Sequence, residues 1–263
     1  MKKYLSILKM SFLDSFQFIP TLGFRFVGYF INMFALTSVW KYVYSDPSQI
    51  INGYTLTQMI WYLLLADSIS YGCSDICKKE IQDDVKSGGI AYKVNKPYQY
   101  VLYNFVRYLG DSAIKIVLYL IVSIFIGLLF VGNLNLNLDI FNILCIILSI
   151  VLAVSLNGFI KILISLTSLW VEDSMPFHWI YNKLLLLFGI FFPIEMFPKV
   201  LQPIIKCTPV FVILYGPVKL IINFSYGMFI KVLSAQIIYL IIILIITSIV
   251  YRRGVKKLNV NGG

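Results

Sequence analysis

Few residues in this 263-residue sequence have the types and spacing that chemistry requires. Cys73 and Cys77 stand four apart, which puts two thiols on one helix face and could begin a zinc site. No second pair answers them: the other cysteines are Cys145 and Cys207, and His178 is the single histidine. The pattern predicts buried thiols, not a metal centre or a disulfide framework. His178 alone supports no acid–base or nucleophilic case and reads as an interfacial histidine. There is no HExxH pair, no GxSxG turn and no GxxxxGKS/T phosphate loop. What remains are charged groups inside apolar runs. Asp67 sits near the middle of one run, with Ser68, Ser70 and Asp75 around it. An unpaired charge in hydrocarbon is costly, so Asp67 must face protein or a water-filled cavity. It either lines a pathway or bonds a neighbouring helix, and the two readings are equal. Lys161 interrupts another run beside Asn157 and Gly158. It is either a buried partner for Asp67 or a residue near the inner end of an overlong helix, the simpler reading. Glu195 opens a proline-cut stretch. There it lies at the outer mouth of a pathway or pairs with Lys199, four residues on.

The elements that must position these groups belong to a membrane. The chain is 59% hydrophobic and 13% charged, with too little polar surface for soluble domains of this length. The formal charge of +10 does not imply nucleic acid, because the basic residues flank apolar segments and form no polar face. Met1–Gln17 is no signal peptide, since Lys9 and Asp14 interrupt it. Leu5, Leu8, Phe12 and Phe16 recur at three and four residues, predicting an amphipathic helix in the inner interface with its lysines toward acidic lipid.

Six spans follow: about 21–44 after Pro20, 55–76, 112–131, 140–170, 180–192 and 229–251. Arg25 and Lys41 can snorkel, Lys115 is paired or snorkels inward, and Trp40, Tyr42 and Tyr44 form an interfacial belt. Residues 98–111 form a helix before the third span, with Arg107 and Asp111 on one face. Short turns at 45–54 and 132–139 carry no basic residue and belong outside. Residues 171–179 form a small inner loop. Between spans five and six, Pro193, Pro198, Pro203, Pro209 and Pro217 cut apolar residues into pieces too short to cross, which suits re-entrant helices over 193–221. Fourteen basic residues fall on the cytoplasmic flanks and five on the outer ones, which puts both ends inside. No internal repeat of the kind common in secondary transporters is visible.

The long polar stretch between the spans is KKEIQDDVKSGGIAYKVNKPYQ, residues 78–99. It reads as a short charged helix, a Gly88-Gly89 break, a brief extended piece and a Lys96-Pro97 stop. Its charge pattern suits docking better than linking.

The whole order, with SGGIAYKVNKPY, FPIEMFP and the basic end YRRGVKKLNVNGG, resembles the membrane subunit of a type-2 ABC exporter, in the branch of six-span permeases related to drug-export permeases. The resemblance covers essentially the whole chain. It implies an all-α integral membrane fold: one permease domain over 1–263, with an interfacial helix (1–17), a cytoplasmic coupling helix (78–99) and outer re-entrant helices (193–221). It implies that Lys79, Glu80, Ile81, Asp84 and Lys86, with Gly88 and Gly89, dock on a separate ABC ATPase. ATP and magnesium would then bind in that partner and no cofactor in this chain, which is not itself an enzyme. A second permease chain, identical or paralogous, would complete the pathway. Pro193, Glu195 and Pro198 would belong to the outer gate, with Asp67 a pathway candidate outside the family pattern. The location implied is the cell membrane, expected to be a bacterial plasma membrane. The competing reading is an ion-coupled transporter or a membrane scaffold, in which Asp67, Lys161 and Glu195 matter more than the inner loop.

Overall fold

The computed structural model describes residues 2–17, 19–46, 48–134 and 139–261. The side chains of residues 17, 19–22, 24–25 and 258–261 fall outside that description, so the roles expected of Pro20 and Arg25 do too, as does the middle of the 132–139 turn. The described chain is mostly helical. Helix α1 (Lys2–Gln17) precedes α2 (Ile19–Val43), and a two-stranded hairpin, β1 (Ile50–Ile51) and β2 (Tyr54–Thr55), leads to α3 (Leu56–Gly72). Helices α4 (Ile76–Lys86) and α5 (Gly89–Val94) form the polar stretch, followed by α6 (Tyr100–Phe130), α7 (Ile140–Leu166), α8 (Ser168–Val171) and α9 (Met175–Leu185). After α9 come a π turn over Leu186–Ile190, a 3-10 turn over Ile194–Met196, and α10 (Leu201–Lys206). A second π turn over Phe211–Tyr215 runs into α11 (Gly216–Ile222), and α12 (Tyr226–Asn261) closes the chain.

Among the described residues, three helices are long and apolar enough to cross a membrane by length and composition: Tyr100–Phe130, the α7–α8 stretch Ile140–Val171, and Tyr226–Lys257 within α12. The expected helix over 98–111 and the third span are one continuous α6. Arg107 and Asp111 do not meet as a pair: Arg107 reaches Glu80, and Asp111 takes Lys115.

Helix α3 is the centre of the bundle. Every residue from Met59 to Ile69 is buried, Asp67 and Ser68 included, so this helix touches protein all round. A capping box fixes its start: Thr55 Oγ accepts from the Gln58 N–H at 3.3 Å, and Gln58 Oε1 accepts from the Thr55 N–H at 3.1 Å. Its end is fixed by a hinge, Cys73–Ser74–Asp75, where the backbone turns extended before α4. Cys73 and Cys77 therefore do not share a helix face; they lie on either side of this hinge as buried thiols, Cys77 donating to the Asn104 carbonyl at 3.0 Å.

Among the described residues, the hairpin is the one β element. Its turn is Asn52-Gly53, both at positive φ (48° and 84°), the dipeptide that a tight two-residue turn favours. At the opposite end of the bundle Gly88, at φ 72°, makes the break between α4 and α5.

Helix α1 packs on α6 by its polar side. Ser11 and Ser15 are buried there, Ser11 Oγ donating to the Arg107 carbonyl at 2.7 Å and Ser15 Oγ to Asp111 Oδ1 at 2.6 Å. Gly110 makes room, since a Cβ on it would stand 2.8 Å from the Leu8 carbonyl oxygen. Leu5, Met10, Leu13 and Phe16 are left facing outward.

Candidate functional site

A polar cavity of about 470 Å³ opens among α2, α3, α6, α7 and α9. Asn32 lines it from α2; Asp67, Ser70 and Tyr71 from α3; Lys115 from α6; Asn157 and Lys161 from α7; Asn182 and Lys183 from α9; and Asp75 from the hinge. Asp67 is fully buried. Its Oδ2 accepts from Asn32 Nδ2 at 3.3 Å, and its Oδ1 has no hydrogen-bond partner among the described residues. Lys161 is not its partner; it lies in the last turns of the long α7. Its ammonium, on a side chain 6% exposed, lies 2.8 Å from Asp75 Oδ1 and 2.9 Å from the Ser74 carbonyl. One buried cation thereby binds the α3–α4 hinge to α7.

A second tie holds the same hinge from the other side. Asp111 accepts from Ser74 Oγ, from Ser15 Oγ and from Lys115, and Ser112 Oγ accepts from the Ser74 N–H at 2.9 Å. Helices α6 and α7 thus converge on the three hinge residues, and α1 joins them through Asp111.

Helix α4 lies directly beyond the hinge. Ile81 is fully buried. Glu80 is taken up by Arg107 of α6, and Asp84 accepts from Lys93 of α5 at 2.7 Å and from Tyr100 of α6 at 2.7 Å. Gln82 Oε1 accepts from Ser174 Oγ at 3.0 Å, which joins α4 to the start of α9. The neighbouring Asp173 carboxyl is held below its usual range by the Met175 N–H, with Lys86 adding to the effect. The face left open carries Lys79, Asp83 and Lys86, then Gly88 and Tyr92 beyond the break; Gly89 is half-buried. Of the residues named from the sequence, Glu80, Ile81 and Asp84 thus anchor the element, and Lys79, Lys86 and Gly88 face outward. His178 is not interfacial: it is buried, its Nε2 2.9 Å from Ser165 Oγ.

At the far end of the bundle Glu195 does not take Lys199. It pairs with Lys219 of α11 at 3.0 Å and accepts from Tyr215 at 2.6 Å and from Tyr54 of β2 at 3.2 Å. Lys219 also donates to the Tyr54 hydroxyl at 2.7 Å. This cluster fastens the hairpin, the 3-10 turn that follows Pro193, and α11 to one another. Pro193 and Pro198 flank that turn. Behind it, Tyr62 of α3 donates to the Gly189 carbonyl at 2.7 Å, a group close to the π turn's irregular bonding.

The sequence model of the family described as ABC-2 family transporter protein matches residues 30–262. The chain belongs to this family. No curated protein matches it. This ABC-2 permease is a membrane transport subunit, and its polar cavity, hinge and charged helix acquire a common context. Sequence reading had singled out Asp67 and the charged helix but missed the ties between them. Ser15, Ser74, Asp111 and Ser112 are ordinary residues separately, and only the paired small and polar positions Ser11/Ser15 and Gly110/Asp111 hinted at a close helix contact. Asn32 and Asn182 are the other cavity residues it passed over, each a lone amide in an apolar run.

The Glu195 cluster makes a first prediction. Glu195→Gln keeps the shape but leaves Lys219 without its counter-charge, and should destabilise that end of the bundle by about 1–3 kcal/mol. Faster hydrogen exchange confined to the hairpin and α11 is the expected result. Unchanged exchange there would mean the cluster holds nothing together.

Proposed function

We propose that this permease spans the membrane six times, through α2, α3, α6, α7, α9 with its π turn, and α12. Both chain ends then lie on the cytoplasmic side of the cell membrane, taken to be a bacterial plasma membrane, and residues 1–263 act as one permease domain. Family members normally work with ABC ATPases. ATP and magnesium would bind in such separate subunits, which press on α4 and α5, and substrate would leave outward past the segment 193–221. That segment, broken at Pro193 and Pro198 and latched by Glu195, would be the outer gate.

The observation that carries this reading is the mounting of α4. Its inner side is fixed to α6, to the start of α9 and, through the hinge, to α7, while the row Lys79, Asp83 and Lys86 stays exposed. A load on that row reaches several spans at once. ATP can exploit this only if binding favours one arrangement of the spans over another. A second permease chain, identical or paralogous, is called for by the cavity. Its wall includes exposed Lys183 and Tyr71, which hydrocarbon would solvate poorly, so protein should close that side.

The test is gentle detergent extraction of the tagged chain from its host, with identification of stoichiometric co-purifying proteins. Lys79→Glu with Lys86→Glu inverts the exposed row without touching the anchors. An ABC ATPase that accompanies the native chain and is lost from this variant, at equal expression, is the expected outcome. A native chain that brings no ATPase would overturn the coupling reading and favour an ion-coupled transporter or scaffold.

A further inference from the structure

We propose that the cavity binds a zwitterion: a ligand carrying an ammonium and an acidic group together, such as the two ends of a short peptide or an ethanolamine phosphate headgroup. The proposal rests on the permease reading for its purpose, but on the cavity alone for its chemistry.

Five charged side chains line the cavity. Two of the lysines are already neutralised, Lys161 by Asp75 and Lys115 by Asp111. Asp67 and Lys183 are left. Neither has an oppositely charged side chain within ion-pair distance among the described residues. Asp67 is fully buried on α3 with one oxygen unpartnered, the state that most needs a donor from elsewhere. Lys183 stands on α9, a different wall, its ammonium 5.5 Å from the Trp179 ring centre. A simple cation would satisfy Asp67 and be opposed by Lys183; a simple anion would satisfy Lys183 and be opposed by Asp67. A molecule bearing both charges answers both groups.

The rest of the lining fits this division. Beside Asp67 stands Tyr71, whose ring meets those of Tyr29 and Tyr119 at 5.4 and 5.5 Å, and an aromatic face next to a carboxylate suits an ammonium. Asn32, Asn157 and Asn182 offer both donors and acceptors to a polar body between the charges.

Protection of a cavity thiol tests the proposal without requiring transport. Ser70→Cys places a maleimide target on the wall, with labelling resolved by site in a mass spectrometer. The full chain in phosphatidylglycerol nanodiscs, whose headgroup has no ammonium, is labelled with and without trialanine, N-acetyl-trialanine or trialanine amide. A parallel sample replaces part of the phosphatidylglycerol with phosphatidylethanolamine.

Free trialanine is expected to slow labelling about tenfold more than either blocked peptide, each of which lacks one charge. Asp67→Asn should abolish the preference for a free amine, and Lys183→Gln the preference for a free carboxylate. Protection by phosphatidylethanolamine with none by trialanine would assign the site to the lipid headgroup, still a zwitterion. Equal protection by all three peptides would overturn the proposal, as would none from either source. Because labelling needs no ATPase, these results are separable from failure of the coupling reading.

Discussion

Asp111→Ala is expected to destabilise the permease by about 3 kcal/mol, more than any other single polar replacement in the chain. Interhelical hydrogen bonds in membranes average only about 0.6 kcal/mol, so the lost contacts to Ser15 and Ser74 do not account for this alone. The larger part comes from Lys115. Its side chain is 16% exposed, and without Asp111 its ammonium is left with no counter-charge beside an apolar span. Two outcomes separate these contributions. Asp111→Asn combined with Lys115→Met removes both charges and should return stability to within about 1 kcal/mol of native. Asp111→Ala alone should also release α1, because Ser15 loses its acceptor, so proteolysis near the N-terminus should quicken together with thermal unfolding in detergent. If the double variant were no more stable than Asp111→Ala, the buried charge would not be the cause.

The prominence of Asp111 was not legible in the sequence, and the reason is geometric. Its helix periodicity pointed to Arg107, four residues back, as its companion. The real contacts come from α1, the hinge and Lys115, and two of these lie far away in the chain. The same holds for Glu195: Lys199 was available four residues on, and Lys219 from another element was better placed. Helix spacing tells which residues share a face; it says nothing about which foreign element that face meets. What the chain did make legible was local. The Gly88-Gly89 break, the amphipathic start, the proline-cut stretch over 193–221 and the burial demanded of Asp67 all follow from single-segment physics. Asn52-Gly53 was an equally local hairpin signal and went unread because the turn was taken for a plain outer loop. The split of the charged helix into anchors and an open row could not be read either, because a polar surface helix gives no sign of which side its neighbours occupy.

Gly72→Val should be the most damaging change in the apolar core. Gly72 ends α3 immediately before the hinge, and a Cβ placed there would stand 2.7 Å from Ile116 Cα and 3.0 Å from Ile116 N on α6. These are backbone atoms, so no side-chain rotation can relieve the clash, and the two helices must separate. Overpacking of this kind costs about 1–3 kcal/mol where side chains can yield, and should reach the upper end where they cannot. Separation would also disturb what lies on both sides of the contact: Asp67 above it, and Ser74 with its ties to Asp111 and Ser112 below. Ile116→Ala should rescue little, since it removes Cγ1 but leaves Cα and N in place. The comparison variant is Gly28→Val on α2, where an added Cβ meets nothing within 4 Å. Gly28→Val should purify as a monodisperse protein with near-native unfolding, whereas Gly72→Val should lose most folded yield and expose the hinge thiols Cys73 and Cys77 to labelling. Near-native stability for Gly72→Val would mean that α3 and α6 do not approach so closely.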